Sequence, residues 1–302
     1  MTEPQDDITP GWRIVLLTNI PGGQLYPQIA AVVGAMGHRI VGVLTSPGPK
    51  RRRSAGYLDV VASVPPGVDV IVSNYPARWA TWIATFQPDL LISCGFPWRI
   101  PAEVLHVPRL GAINFHDALL PRYRGPNATG WAFRNGDTET GLTIHRLTPD
   151  FDAGAILAQV RTPITDDDTF STMDARWNDQ MPDLLRTALE RIARGEAGEP
   201  QDDALASEAG LFEEAWRQID WAQPARTIHN QVRSWIGWRD IPPGALGEVA
   251  GKPLIITRTQ LPPASEAHSR LVAPGTVLHE DATHLVVQCG DGPLTLLEWT
   301  EV

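Results

Sequence analysis

Hydrophobic residues in the first 120 positions form short runs typical of buried strands, and segments with helical periodicity separate them. Five runs have the length and the β-branched content of such strands: WRIVLLTNI (12–20), HRIVGVLTS (38–46), VDVIVS (68–73), PDLLISCGF (88–96) and GAINFH (111–116). Helical segments between them are GGQLYPQIAAVVGAMG (22–37), ARWATWIATF (77–86) and IPAEVL (100–105). Repeated strand-helix-strand units predict an α/β fold, with a Rossmann-like, doubly wound, mostly parallel sheet and helices on both faces.

The second half of the chain has a different pattern. A helix is predicted from about Asp168 to Arg194, because apolar residues recur at helical spacing and form one core stripe: Phe170, Met173, Trp177, Met181, Leu184, Ala188 and Ile192. Residues 195–205 are rich in Gly, Glu, Asp and Ala, as a linker would be. A helix at 219–235 and four short strand-like segments then indicate a smaller β-rich, OB- or barrel-like domain. We therefore predict domains over 1–198 and 206–302.

Composition limits the classes of partner. The chain has 302 residues, of which 43% are hydrophobic and 20% charged, and a sizeable core can therefore form. Its formal net charge of -10 argues against binding nucleic acid over the whole surface, because that mode requires basic side chains to neutralise phosphates. A local basic patch is still compatible with this charge.

The chain carries no sign of export or of membrane insertion. Its first ten residues, MTEPQDDITP, lack the basic and apolar regions of a signal peptide, and no apolar run approaches the roughly 18 residues of a membrane span. Cys94 and Cys289 are its two cysteines, too few for a disulfide framework and without the spacing of a zinc site. We expect a cytoplasmic protein that uses no metal.

Two polar residues end the run at 111–116. Asn114 and His116 lie two positions apart, and on a strand both side chains project from one face, at the sheet edge where ligands bind. An imidazole, with an ordinary pKa near ~6.5, exchanges protons at neutral pH, and an amide donates a hydrogen bond to an oxyanion. The pair suits acyl transfer, although a strand cap and a turn residue would give the same pattern.

A later loop supplies carboxylates. The segment TPDFDAG carries Asp150 and Asp152 after another predicted strand, and a carboxylate there could orient the imidazole or collect a proton from an attacking amine. His145 lies on the strand before this loop. Alternation along GLTIHRL leaves open whether its side chain faces the pocket or the core.

These residues carry a family resemblance. NFHDALLPRYRG (114–125), together with GDTETGLTIHRLTPDFDAGAIL (136–157), resembles the 10-formyltetrahydrofolate-dependent formyltransferases, and IDWAQPARTIHNQVRSW with CGDGPLTLLEW resembles the C-terminal domain of the methionyl-tRNA enzymes. The resemblance implies formyl transfer to an amine through a tetrahedral intermediate. Asn114 and His116 would stabilise the oxyanion, and Asp152 would hold His116 and assist proton transfer.

The resemblance also implies where the folate co-substrate binds. Its pocket is expected around two segments: Cys94, Gly95, Phe96, Pro97 and Trp98 after one strand, and the loop with Leu147 and Asp150. Trp98 would pack either on the ligand or in the core. No metal is implied.

The acceptor amine is left open by the sequence. In place of the Gly-Thr-Pro segment of the tRNA enzymes the chain has LLTNIPGGQLYP, and Asp117 after His116 resembles enzymes that formylate amino sugars or amino acids. We therefore favour a small-molecule amine. Methionyl-tRNA is the alternative, and it would need the basic run Lys50, Arg51, Arg52 and Arg53 and a positive C-terminal domain. Formyltetrahydrofolate hydrolysis and an inactive folate- or RNA-binding module are further alternatives.

Overall fold

The computed structural model describes residues 11–49, 56–235, 243–263 and 272–302. Within them the α-helices are α1 (Leu25–Ala35), α2 (Gly56–Ser63), α3 (Trp79–Thr85), α4 (Ala102–Leu105), α5 (Ala128–Asn135), α6 (Phe170–Ala193) and α7 (Ala225–Ser234). The β-strands are β1 (Arg13–Thr18), β2 (Arg39–Thr45), β3 (Asp69–Val72), β4 (Leu90–Cys94), β5 (Ala112–His116), β6 (Glu139–Arg146), β7 (Ile156–Pro163), β8 (Ala245–Val249), β9 (Lys252–Gln260), β10 (Val277–Glu280), β11 (Leu285–Gln288) and β12 (Pro293–Glu301). No helix in these ranges is both long and apolar enough to cross a membrane.

The first seven strands form one sheet, in the order β3-β2-β1-β4-β5-β6-β7. Strands β1 to β5 are parallel to one another, and β6 runs antiparallel to β5. The predicted Rossmann-like, mostly parallel sheet is confirmed. From β1 the chain moves outward to β3 and then returns to β4 on the other side of β1, so the strand order reverses between β1 and β4. Ligands of such sheets bind at the carboxyl ends of the strands at this point.

The central strands are buried because their residues are apolar on both faces. Ile14, Leu17, Leu91 and Ile92 have no exposed surface, as expected for strands of a parallel sheet covered on both sides. On one face Leu17 and Leu91 pack with α3, whose Trp79 is also fully buried. Burial of one such large apolar side chain stabilises a fold by about 1.5–3 kcal/mol.

The last five strands form a separate antiparallel sheet, in the order β10-β11-β12-β9-β8. Helix α7 buries Ile228 and Val232 in the same apolar cluster as Ile256 and Leu296 of the strands. Pro224 directly precedes α7. The predicted small β-rich C-terminal part is therefore confirmed.

By compactness the chain divides into two units. One comprises the chain up to His116 with Thr143–Ala158 and Met181–Gln201, and the other comprises Asp117–Leu142, Gln159–Gln180 and Asp202–Val302. The domain bounds 1–198 and 206–302 follow the order of the sequence, whereas each unit is assembled from three segments. These domain bounds stay a prediction.

Candidate active site

Asn114 and His116 lie where the sequence places them, at the carboxyl end of β5. Asn114 pairs in register with Ser93 of β4 on one side and with His145 of β6 on the other, and His116 pairs with Thr143. His116 is 5% exposed and Asn114 is half-buried. Because the two residues are two positions apart on one strand, their side chains project from the same face. The ring of His116 and the amide of Asn114 can therefore act on the same atom.

Asp152 faces two imidazole rings. One of its oxygens, Oδ2, lies 3.6 Å from Nδ1 of His116, and the other, Oδ1, lies 3.4 Å from Nε2 of His145. Its side chain is 12% exposed. The 3.6 Å separation is longer than an ordinary hydrogen bond. At this distance the carboxylate of Asp152 still attracts a hydrogen on Nδ1 and can thereby orient the ring. The structure thus brings the three predicted catalytic residues together, and it adds His145 to them.

His145 is the residue whose orientation, toward the pocket or the core, could not be predicted from sequence alternation. Its side chain has no exposed surface, and its ring stands edge-on to that of His116 with 6.2 Å between centroids. Nε2 lies 3.3 Å from Nδ2 of Asn114, and Nδ1 lies 2.9 Å from the carbonyl oxygen of Arg146. Antiparallel pairing of β6 with β5 puts His145 opposite Asn114, and this pairing is the signal that could have identified it.

The hydrogen bonds constrain the protonation of His145. A carbonyl oxygen only accepts, so Nδ1 carries a hydrogen and donates it to Arg146. In the neutral ring Nε2 then accepts from the Asn114 amide, and this fixes which end of the amide is Nδ2. In the doubly protonated ring Nε2 donates to Asp152 instead, and the Asn114 amide must turn. Each protonation state of His145 therefore selects one orientation of Asn114.

The loop that carries Asp152 has a constrained backbone. Asp152 itself has a positive φ of 48°, a conformation that non-glycine residues rarely adopt. Two residues later, a Cβ added to Gly154 would lie 1.9 Å from the carbonyl oxygen of Arg146. Position 154 therefore requires glycine, because any side chain there would push the loop away from β6.

The predicted folate-binding segment after β4 lies at the switch point of the sheet. Thr18, the last residue of β1, pairs in register with Cys94, the last residue of β4. Cys94 is buried, whereas Gly95 is exposed and has a φ of 58°; a Cβ on Gly95 would lie 2.6 Å from Ile20. Phe96 and Pro97 are half-buried. This segment stays a predicted ligand site, in a place where α/β sheets bind ligands.

Trp98 has contacts within the protein. Its ring meets Trp79 edge-on at 5.8 Å between centroids, and its Nε1 donates to Oγ of Ser46 at 2.6 Å. The same hydroxyl donates to Asn74 Oδ1. These contacts tie the ends of β2, β3 and β4 together. Trp98 is half-buried, so its role as a ligand contact stays a prediction.

The second predicted folate segment is connected to the first through Arg99. Its guanidinium donates to the carbonyl oxygen of Pro149 and lies 5.2 Å from the ring centroid of Phe151. Leu147 is half-buried and its N-H donates to Ala112 O at 2.8 Å, whereas Asp150 is exposed. Leu147 and Asp150 stay predicted ligand contacts, and Arg99 is a link between the two segments that sequence reasoning did not identify.

Two further expectations concern basic and metal-binding groups. The basic run Lys50–Arg53 lies outside the residues that the structure describes. Over the described ranges, no group of three or more His, Cys, Asp and Glu side chains is arranged to hold a metal ion.

Comparison with protein families gives two matches. Residues 49–189 match the family described as formyl transferase, and residues 213–301 match the formyl transferase C-terminal domain. Among curated proteins, the chain is 32% identical over 278 residues to the methionyl-tRNA formyltransferase of Pelobacter propionicus, covering 90% of this chain and 84% of that protein. The methionyl-tRNA formyltransferase of Citrifermentans bemidjiense is 32% identical over 274 residues, with 87% and 81% covered.

Solved structures show the same fold at lower identity. HypX from Aquifex aeolicus in complex with tetrahydrofolic acid superposes with a TM-score of 0.68 and 20% identity, over 96% of this chain and 44% of that one. The sugar 3N-formyl transferase WlaRD gives a TM-score of 0.66 at 15% identity, over 96% and 98% of the two chains. These similarities support the fold assignment.

Proposed function

The chain belongs to the formyltransferase family, whose enzymes depend on 10-formyltetrahydrofolate, and on that premise we propose that it formylates the amino group of methionyl-tRNA. The observation that carries this acceptor is the similarity to methionyl-tRNA formyltransferases at 32% identity over 90% of the chain, including the C-terminal domain. A second candidate, a small-molecule amine, rests on the charge of that domain.

The geometry around Asp152 supports the proposed catalytic roles. The acceptor nitrogen attacks the formyl carbon, and negative charge develops on the formyl oxygen. Asn114 would donate to this oxygen through Nδ2, whose orientation is set by His145 at 3.3 Å. A preorganised donor of this kind contributes about 10²–10³ in turnover.

Proton transfer would pass through His116. The Asp152 carboxylate lies on the Nδ1 side of the ring, at 3.6 Å, so a proton held there faces the carboxylate and Nε2 is the nitrogen that exchanges protons with the reacting groups. Collapse of the tetrahedral intermediate breaks the bond from the formyl carbon to N10 of the folate. The proton lost by the amine is delivered to N10, which yields the formamide and tetrahydrofolate.

We propose that the segment after β4 binds the flat, partly polar folate. Gly95 is exposed and adopts a positive φ, so backbone groups there can approach a ligand closely. Phe96 and Trp98 supply half-buried aromatic surface beside it. We propose Cys94, Gly95, Phe96, Pro97, Trp98, Leu147 and Asp150 as the contacts of 10-formyltetrahydrofolate.

Charge favours the second candidate. From residue 206 to 302 the chain has seven basic and twelve acidic residues. In the described part of the five-stranded sheet, Lys252 and Arg258 are each paired with a glutamate, Glu301 at 2.7 Å and Glu298 at 3.4 Å. A surface of this sign attracts RNA phosphates poorly, whereas a small amine needs no such attraction.

The deciding experiment measures both products. Purified protein with 10-formyltetrahydrofolate would be offered methionyl-tRNA, uncharged tRNA, free amino acids, amino-sugar nucleotides or water, with His116→Ala as the inactive control. Tetrahydrofolate release is followed by absorbance, and formyl incorporation by mass spectrometry.

Each outcome assigns one function. Formyl-methionyl-tRNA formed only with the charged tRNA supports the proposal. Formylation of a small amine alone favours the second candidate, and formate release without an amine indicates hydrolysis. Equal tetrahydrofolate release by wild type and His116→Ala would refute formyl transfer at this site and would favour a binding module without catalytic activity.

A further inference from the structure

Asp152 depends on neighbouring groups for its position, because its own conformation is unfavourable. The loop from Leu147 to Gly154 is closed at its base by a hydrogen bond from Arg146 N to Ala155 O, of 2.9 Å. Within it Asp152 adopts a φ of 48°, which costs a non-glycine residue of order 1 kcal/mol and persists only where the surroundings impose it.

One side chain from outside the loop contacts the loop backbone at Asp152 and again two residues later. Nε2 of Gln201 donates to the carbonyl oxygen of Asp152 and to that of Gly154, each at 2.7 Å. The two hydrogens of this one amide group thus bind the carbonyl oxygens of Asp152 and Gly154 at the same time. Glutamate at this position would have the same shape but would offer no donor.

Gln201 is itself fixed to the sheet. The segment before it pairs with the start of β7, where Ile156 N donates to Glu199 O at 2.7 Å and Glu199 N donates to Ile156 O at 2.8 Å. The side chain is half-buried, which protects its hydrogen bonds from water. The hydrogen bonds from Gln201 to the loop therefore join two segments that are each held in place by backbone pairing.

We propose that Gln201 is the positioning residue of Asp152: by clamping the backbone at 152 and 154, it keeps the carboxylate between His116 and His145. The proposal rests on the proposed formyl transfer. Oδ1 and Oδ2 stand 3.4 and 3.6 Å from the two rings, so a shift of about 1 Å would break both contacts. Displacements of that size in a catalytic group cost up to about 10²-fold in rate.

The test uses Gln201→Glu, which keeps the shape and removes both donors, and Gln201→Leu. We expect kcat to fall about 10- to 100-fold in both variants while KM for the folate and for the acceptor changes less than about threefold. Gln180→Leu is the matched control, because the Gln180 side chain accepts a hydrogen bond from Thr162 Oγ1; its kcat should equal that of wild type. Thermal melting and tetrahydrofolate binding report whether each variant folds.

A double-mutant cycle separates positioning from general damage. In an Asp152→Asn background, Gln201→Leu should lower kcat by no more than about twofold, because the group that it positions is already gone. The same fold loss in both backgrounds, or wild-type kcat in Gln201→Glu, would overturn the proposal.

A spectroscopic readout keeps the proposal independent of activity. The ring NMR signals of His116 and His145 should shift in Gln201→Glu and stay unchanged in Gln180→Leu; unshifted signals would contradict the clamp. Failure of the proposed function would be seen differently, as a wild-type protein that formylates no acceptor.

Discussion

Protonation of one buried histidine in the C-terminal region should control the acid stability of the protein. His229 is 3% exposed on α7, with Nε2 2.9 Å from the carbonyl oxygen of Asp166 and Nδ1 2.9 Å from Thr259 Oγ1. Burial, aided by the positive charge of Arg233, lowers the pKa of His229 to about 4, although the carbonyl oxygen and the carboxylate of Asp166 oppose this shift. The folded protein therefore keeps this ring neutral.

The size of the effect follows from linkage. An unfolded histidine titrates near ~6.5, so above that pH neither state binds the proton and stability is unaffected by this group. Between pH ~6.5 and about 4 the unfolded state binds the proton and the folded state does not, so the free energy of unfolding falls by up to ~1.4 kcal/mol per pH unit. Over this window the loss amounts to roughly 3 kcal/mol and then levels off.

The assay compares wild type with His229→Gln, which keeps one donor and one acceptor and cannot titrate. Urea unfolding followed by tryptophan fluorescence would give the free energy of unfolding at several pH values from 4 to 7.5, and other titrating groups cancel in the difference between the two proteins. We expect the variant to lose less stability on acidification by roughly 3 kcal/mol. Parallel curves, or an NMR titration of the His229 ring near pH 6.5, would refute the reasoning.

Three further predictions concern the active site. Asn114→Ala should lower kcat about 10²–10³-fold with an unchanged melting temperature, measured by tetrahydrofolate release; a loss below tenfold would contradict its role at the oxyanion. His145→Ala should lower kcat about 10- to 100-fold because the Asn114 amide loses its orienting partner, and His145→Gln, which can still accept a hydrogen bond, should recover part of that loss. Gly154→Ala should destabilise the protein by about 1–3 kcal/mol in urea unfolding, because its Cβ meets Arg146 O, whereas Gly34→Ala in α1 meets no atom and should be neutral or stabilising by up to ~1 kcal/mol.

The sheet could be predicted from the sequence because its strands are apolar runs separated by helical segments. Helix α5 was not predicted, since Thr129 and Gly130 are weak helix formers. Two glycines give the local signals for this helix. Gly136, with a φ of 70°, ends the helix in the left-handed conformation. Gly130 leaves space for the Asn127 side chain, whose Oδ1 would lie 2.4 Å from a Cβ at position 130. Glycines with such local functions look like loop residues in a sequence.

The candidate site was predictable where residues follow one another on a strand and not where separate segments meet. Asn114 and His116 share a face because strand periodicity requires it. His145 joins them only through the register of β6 against β5, and Gln201 reaches the Asp152 loop from a segment about fifty residues further along the chain. Alternation along one strand carries no information on either contact.

The loop that carries Asp152 is anchored at its base, so its exposed residues can vary while the catalytic carboxylate stays in place. Backbone hydrogen bonds join Arg146 to Ala155 and Leu147 to Ala112, so residues 148–151 form an insert whose two ends are fixed to the sheet. Pro149, Asp150 and Phe151 in this insert are exposed, and a change in their identity leaves the anchors of Asp152 intact. Side chains of this insert can therefore change without moving Asp152, so the folate contact proposed for Asp150 can be altered independently of the catalytic carboxylate.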